Sequence, residues 1–377
     1  MRDYDAIVVG GGPAGSTMGR ALRDGGWRVL LLDKAEFPRD KTCAGWVTPA
    51  VFDALQVDRA DYAQGRVLQP IHGFRIGLMG EPACENRHGD EPVSYGIRRC
   101  EFDHYLLQHS GVETALGEQA REMVREDGRW HVNERYRAPW LVGAGGHFCP
   151  VATHLGDGPG GHELAVTAKE IEFRMSPSDA AACKVRGEVP ELWFCRDLKG
   201  YGWVFRKGDY LNIGLGREDH HRLAEHLDEF VAAMQSAGRI PADLPARFKG
   251  HAYLLYGHAR RPLAGPGCLL IGDAAGLAYT QSGEGIRPAV ESALLAARAL
   301  LRHGARTNGA DEGAAGDYER ALRAHFGRRG DQPQRAVPEW LKHALAPALM
   351  RNRWFTRRVV TERWFLHAVP GQAAIGL

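Results

Sequence analysis

The sequence predicts an α/β protein: a parallel sheet of nucleotide-binding type, an inserted, mainly antiparallel β-sheet, and helices at the C-terminal end. Three observations carry this. A strand, glycine turn, helix and second strand open the chain at residues 5–34, closely spaced β segments fill its middle, and an apolar strand ending in Gly272 and Asp273 follows far downstream.

Residues 6–9, AIVV, are the kind of apolar run that makes a fully buried strand, and the run stops at Gly10, Gly11 and Gly12. Gly10 suits a tight turn, Gly12 lets the backbone approach a pyrophosphate, and Gly15 lets the next helix pack against the strand. Each position requires a missing Cβ. Pro13 and Ala14 open that helix, where an absent proline N–H costs nothing and free first-turn amides attract phosphate. Residues 29–32 make a second buried strand. Asp33 ends it, placed for the ribose hydroxyls of an adenosine, with Lys34 beside it as a further cofactor contact. This order predicts a Rossmann-type dinucleotide site but does not separate FAD from NAD.

Residues 35–55 read as a loop followed by a helix, and the loop gathers Arg39, Lys41 and Cys43. These fit either solvated charge with a buried thiol, or groups facing a ligand. Residues 67–79 alternate as strands. Residues 95–99 form another, running into a helix at 101–109 with Arg99 at its mouth, within reach of a phosphate or ribose. Short strands around Val124 and at 130–132 lead to the apolar residues 140–142, read as the parallel sheet resuming. Strands at 163–175, 191–195, 201–205, 210–215 and 251–256, interrupted by one helix at 221–236, predict the antiparallel layer. A strand at 268–271 then ends in Gly272 and Asp273, at the edge where open α/β sheets bind ligands, and a helix starts near Ile286. From about residue 313 the chain reads as helical, with arginines interleaved with Trp354, Phe355, Val359, Trp364 and Phe365. That pattern fits either a basic helix lying on a membrane surface or a capping helix with a solvated polar face.

Composition narrows the function. The 377 residues carry a formal net charge of +2 and are 44% hydrophobic, which gives no general reason to expect nucleic acid as a partner. The first strand begins almost at once and no apolar run is long enough to span a bilayer, so a cytoplasmic protein without a signal peptide is expected. The seven cysteines are scattered with no CxxC pair, and the histidines lack HExxH spacing; neither disulfides nor a metal are expected.

Taken with the opening motif, the segments FPRDKTCAG (37–45), GIRRCEFD (96–103), GYGWVF (200–205), GDAAG (272–276) and SGEGIRPAVESA (282–293) give the chain a resemblance to the geranylgeranyl reductase family. Its members are FAD-containing relatives of the aromatic hydroxylases and flavin halogenases. The resemblance selects FAD, hence a Rossmann-type FAD-binding domain with an inserted substrate-binding sheet. It implies that Gly272 and Asp273 contact the ribityl and pyrophosphate, and that Gly283, Gly285 and Ile286 present backbone amides to the isoalloxazine edge. Cys43 matches a family cysteine near the flavin, Lys41 belongs to the same loop, and Arg99 would join the adenosine and phosphate end. Tyr201, Trp203 and Phe205 match a substrate motif and fall on one face of a strand. Arg206 replaces that motif's proline, and Gly145 and Thr153 stand where related hydroxylases carry an Asp and near an Arg for NADPH.

The function implied is reduction of C=C bonds in an isoprenoid-like or other apolar substrate, with Cys43, Tyr201 and Trp203 as catalytic candidates. The alternative is a flavin monooxygenase that hydroxylates an aromatic or amino-acid-like substrate, free or protein-borne. Electrons would come from transiently bound NAD(P)H or from another reductant such as a redox partner. The expected division is 1–66, 95–160 and 258–305 for FAD, 67–94 and 161–257 for the substrate sheet, and 306–377 for the helical segment, with peripheral membrane contact as a further expectation.

Overall fold

A computed structural model describes residues 1–156, 165–219, 222–245, 247–304, 312–329 and 338–367. The fold is mixed α/β. Its first layer is a six-stranded sheet in the order Ala264–Gly265, Cys268–Leu270, Trp140–Gly143, Ala6–Val9, Val29–Asp33 and Glu113–Leu116. All pairs are parallel except that of Ala264–Gly265 with Cys268–Leu270. Residues 140–142 therefore do return to the parallel sheet. Ile7 sits between Leu141 and Leu30, and every residue of Ala6–Val9 and Val29–Asp33 is buried, as strands covered on both faces must be.

The opening turn shows why glycine is required. Gly10 has φ +116°, and a Cβ there would lie 2.4 Å from the carbonyl oxygen of Ala144. A Cβ on Gly15 would lie 1.8 Å from the Gly10 carbonyl oxygen. Helix Pro13–Asp24 can thus press its first turn onto the strand it follows, and its other side is covered by the alanine-rich helix Ile286–His303.

The second layer is a seven-stranded sheet in the order Lys249–Leu254, Ala165–Arg174, Tyr210–Arg217, Gly200–Lys207, Glu191–Phe194, Gly73–Leu78 and Cys84–Arg87. It is antiparallel except where Glu191–Phe194 runs parallel to Gly73–Leu78. Residues 163–164, read as the start of a strand, lie outside the described residues. Strand alternation separates two cores: Val204, Ile213 and Leu215 pack with helix Leu223–Ser236, while Trp203 and Phe205 pack on the other face with Phe74, Ile76 and Leu192.

Two smaller sheets were only partly anticipated. Leu68–Ile71 pairs with Ser94–Ile97, whose other edge takes Trp46–Val47, rather than with its sequence neighbours Gly73–Leu78. Arg2–Asp3, Tyr136–Ala138, Arg129–Val132 and Met123–Glu126 form a four-stranded sheet; the short YRA strand has no periodicity to announce it. At the C-terminal end, helices Glu312–Phe326 and Glu339–Met350 and the short Arg353–Phe355 lead into a π-helical stretch, Thr356–Phe365. There Thr356, Val360, Thr361 and Phe365 are buried, and the Asn86 amide donates to the Thr356 hydroxyl at 2.8 Å. The wider turn aligns residues four or five apart, a spacing that a search for α-helical periodicity passes over.

Replacing Gly15 by alanine is expected to lower stability by about 1–3 kcal/mol, because the new methyl group meets rigid backbone. A urea midpoint matching the wild type would contradict the backbone packing described here.

Candidate active site

A cavity of about 580 Å³ runs from the opening glycine turn to the aromatic face of the seven-stranded sheet. At one end it is lined by Gly10, Gly12, Pro13, Ala14, Asp33 and Lys34, in the middle by Arg39, Lys41, Cys43, Arg99 and Asp273, and at the other end by Tyr201, Trp203 and Phe205. Gly283, Gly285 and Ile286 form a further side. Of the residues singled out in the sequence, Gly15 and Gly272 do not line it. Gly15 packs beneath the turn, and Gly272, at φ +58°, turns the chain so that Asp273 reaches the cavity.

The turn is held from the side by Asp33, whose carboxylate accepts the backbone N–H of Gly11 at 2.7 Å and of Ala35 at 2.9 Å. A Cβ on Gly12 would meet only the Arg39 guanidinium, at 3.5 Å, so backbone and cavity are in open contact there. Amides at the start of a helix lack partners within the helix, and here those of the N-cap Gly12 and of Ala14 belong to residues lining the cavity. This is the chemistry of a pyrophosphate cradle.

The middle of the cavity is charged. Arg99 donates from Nε and Nη2, one edge of its guanidinium, to both oxygens of the buried Asp103, at 2.7 and 2.8 Å, and Arg39 reaches the same carboxylate at 3.3 Å. Burial opposes the Arg99 charge and Asp103 more than offsets it, so its pKa is raised. Lys41 Nζ lies 2.9 and 3.1 Å from the His251 ring nitrogens, and His251 lies 3.9 Å from Asp273. Desolvation, reinforced by the Arg99 charge, brings the Lys41 ammonium down to about 8. His251 is also lowered, chiefly by burial, whereas His251 and Lys41 overcome burial to lower Asp273. The cluster offers positive charge beside helix and loop amides, suited to an anionic cofactor.

At the far end Tyr201 and Trp203 lie 6.1 Å apart between ring centroids, and Phe365 of the π-helical stretch meets Tyr201 at 5.4 Å and Trp46 at 5.9 Å. The Tyr201 hydroxyl donates to the Ser282 carbonyl, at 2.5 Å, tying the aromatic floor to the glycine loop. Trp203 Nε1 donates to Asn212 Oδ1 at 2.8 Å, and Asn212 Nδ2 donates to the Cys43 carbonyl at 3.0 Å and to Glu170 at 2.6 Å. Cys43 is thereby held by its backbone, while its Sγ accepts the Gly45 N–H at 3.4 Å.

Several contributors escaped the sequence reading. Glu284, between two glycines already singled out, lines the cavity with its carboxyl buried, and neither oxygen has a hydrogen-bond partner among the described residues. Burial raises its pKa to about 8; Arg287 opposes the shift and Glu291 adds to it. His367 Nε2 lies 4.0 Å from Glu284 and 3.0 Å from the Ser282 hydroxyl, and burial lowers its own pKa to about 4. Glu170, behind Cys43, is raised to about 7 by burial and by the neighbouring Glu172. An acid amid glycines was the signal available for Glu284. Glu170 and Glu172 sit in an alternating strand, where charge ordinarily marks a solvated face.

These two carboxyls give folding a defined pH dependence. From the ordinary 4.5 up to about 7 for Glu170, or about 8 for Glu284, the native state keeps a proton that the unfolded chain has released. Their stabilisation is full below 4.5 and is lost as pH rises through the native values. Lys41 adds an opposite slope only above about 8. The urea midpoint is therefore expected to fall between pH 5.5 and 8.5 less steeply in Glu170→Gln and Glu284→Gln than in wild type. Parallel profiles would show that neither carboxyl is protonated in the fold.

Comparison with known proteins accords with this geometry. The digeranylgeranylglycerophospholipid reductase of Methanocaldococcus jannaschii is 25% identical over 340 residues, covering 84% of this chain and 81% of that one. The menaquinone reductase of Mycobacterium tuberculosis is 28% identical over 336 residues, covering 78% and 76%. Among solved structures, a geranylgeranyl bacteriochlorophyll reductase-like protein of Thermoplasma acidophilum superposes with a TM-score of 0.73 at 21% identity, covering 93% of this chain and 88% of that one, which shows the shared fold. The model of the FAD binding domain matches residues 3–324. This match over most of the chain, with the reductase relatives, makes the protein an FAD-dependent oxidoreductase, a member of the FAD binding domain family.

Proposed function

We propose that the protein reduces C=C bonds in an isoprenoid-like or other apolar substrate. The observation that carries this reading is the continuity of one cavity from the cofactor cradle to an aromatic end closed by Phe365. The relatives named as reductases of a geranylgeranyl-bearing phospholipid support it. In this reading residues 1–66, 95–160 and 258–305 hold FAD, residues 67–94 and 161–257 supply the substrate sheet, and residues 306–377 form the helical closure. The glycine turn, Asp33, Lys34 and Arg99 hold the adenosine and phosphates. Lys41, Asp273, Gly283, Gly285 and Ile286 hold the ribityl chain and the ring, and Gly272 supplies the turn that brings Asp273 to them.

Bound there, FAD supplies a two-electron hydride transfer. The rest of the chemistry falls to side chains. Tyr201, Trp203 and Phe205 exclude water and bind the alkene, and the ring faces of Tyr201 and Trp203 stabilise positive charge developing on a substituted carbon. Glu284 holds a proton inside the cavity below about pH 8 and serves as the acid, with the Cys43 thiol as the second source. Gly145 in place of an aspartate favours an electron donor that binds transiently, NAD(P)H or another reductant.

The test is turnover without oxygen. Dithionite-reduced, FAD-loaded protein given a geranylgeranyl lipid is expected to yield product heavier by two hydrogens per double bond. Trp203→Leu should slow the reaction about thirtyfold, corresponding to about 2 kcal/mol from a desolvated cation–π contact. Glu284→Gln should slow it about a hundredfold and remove the decline in rate above pH 8. An oxygenated product, with substrate-dependent oxygen consumption and no anaerobic turnover, would replace this reading by the monooxygenase.

A further inference from the structure

The C-terminal π-helical stretch closes the cavity through Phe365, and it and the helix before it present a different chemistry on their outer side. In helix Glu339–Met350 the side chains of Ala346 and Met350 are buried, whereas Trp340, Leu345 and Leu349 stand out on the other side together with Ala344 and Ala348. Trp340 is 71% exposed, Leu345 44%, Leu349 36%, and Trp354, just beyond the helix, 68%. These are four of the seven exposed large hydrophobic side chains among the described residues, so the apolar surface is concentrated rather than scattered.

Positive charge borders this patch. Residues 351–365 hold five arginines and one glutamate. Arg353, Arg357 and Arg358 line a surface cleft of about 380 Å³ with Arg87, Asn86 and Trp354. Glu362 engages Arg358 at 2.7 Å and Arg357 at 3.3 Å, Glu188 engages Arg87 at 3.2 Å, and Arg353 donates to the Glu85 carbonyl at 3.2 Å. Each guanidinium has five donors, so these contacts leave donors for a further anion, and the cleft keeps a net positive charge. A second copy of the chain would bring an equally basic rim against this one, which disfavours self-association. A free phosphate would satisfy the arginines and leave the tryptophans and leucines in water. A bilayer with anionic headgroups satisfies both.

We propose that this face docks the protein on anionic phospholipid bilayers, with Trp340, Leu345, Leu349 and Trp354 entering the boundary between headgroups and acyl chains and the arginine cleft taking lipid phosphates. None of the described helices is long and apolar enough to cross a membrane, so the contact is peripheral. The inference deepens the isoprenoid-lipid reading and rests on it for the choice of surface. Its geometry is consistent with that reading: the stretch that exposes Arg357 and Arg358 also buries Phe365 at the closed end of the cavity.

The experiment sediments the full, FAD-loaded chain with vesicles of phosphatidylcholine alone or mixed with phosphatidylglycerol. Binding is expected only with phosphatidylglycerol and should fall steeply with salt. At about fivefold per arginine, the triple variant Arg353→Gln, Arg357→Gln, Arg358→Gln should bind about a hundredfold more weakly, and Trp340→Ser with Trp354→Ser should also release the protein. Flavin absorbance and melting midpoint matching wild type would show that the variants are folded. Equal binding to both vesicle types, no binding to either, or wild-type binding by the triple variant would overturn the proposal. So would a cleft that takes up inorganic phosphate while the protein stays off vesicles, or a dimer that dissociates in the tryptophan variant without any vesicle binding. Turnover of a detergent-dispersed prenyl lipid separates the two readings: sedimentation without turnover in any form sinks the reductase alone, and turnover without sedimentation sinks the docking alone.

Discussion

The close approach of backbone at the ends of the parallel strands is the constraint on which the rest of the structure depends. Gly10 lies against Ala144 and Gly15 lies against Gly10, at separations that leave no room for a Cβ. That contact sets the angle at which helix Pro13–Asp24 leaves the sheet, and so the direction of its free amides. Asp33 then fixes the turn laterally through the Gly11 amide. With the cradle in place, the remaining loops have one common edge on which to converge. Cys43, Arg99, Asp273 and the 283–286 loop all do so.

The second determinant is the treatment of charge away from water. Arg99, Asp103, Lys41, His251 and Asp273 form a buried set in which each charge has an opposite or hydrogen-bonding neighbour, whereas neither carboxyl oxygen of Glu284 has a hydrogen-bond partner among the described residues. Burial outweighs the nearby Arg287 charge, and this carboxyl keeps its proton at neutral pH. The two ends of the cavity therefore differ in kind. One is preorganised for an anion, and the other is apolar apart from a neutral acid.

Much of this was legible in the sequence where local chemistry dictates geometry. The glycine turn, Asp33 and the alternation of Tyr201, Trp203 and Phe205 each follow from a steric or periodic rule, and the cavity brings them together. What was not legible depends on contacts between distant segments. Lys41 meets His251 across 210 positions, Glu170 is buried against Asn212 of a strand 42 positions away, and the closure by Phe365 depends on a π-helical turn. Leu68–Ile71 joined a small separate sheet because strand pairing, unlike strand existence, is decided by the whole fold.

The hydrogen bond from Asn212 to the Cys43 carbonyl has a consequence of its own. Because the loop is pinned through its main chain from the neighbouring sheet, the Cys43 side chain adds only the long contact from the Gly45 N–H to its course. The side chain at position 43 is in this sense a fitting on a fixed mount, and its replacement leaves the main-chain anchor of the loop in place. Asn212 and Glu170, which never touch the cavity's contents directly, are the residues that would have to stay.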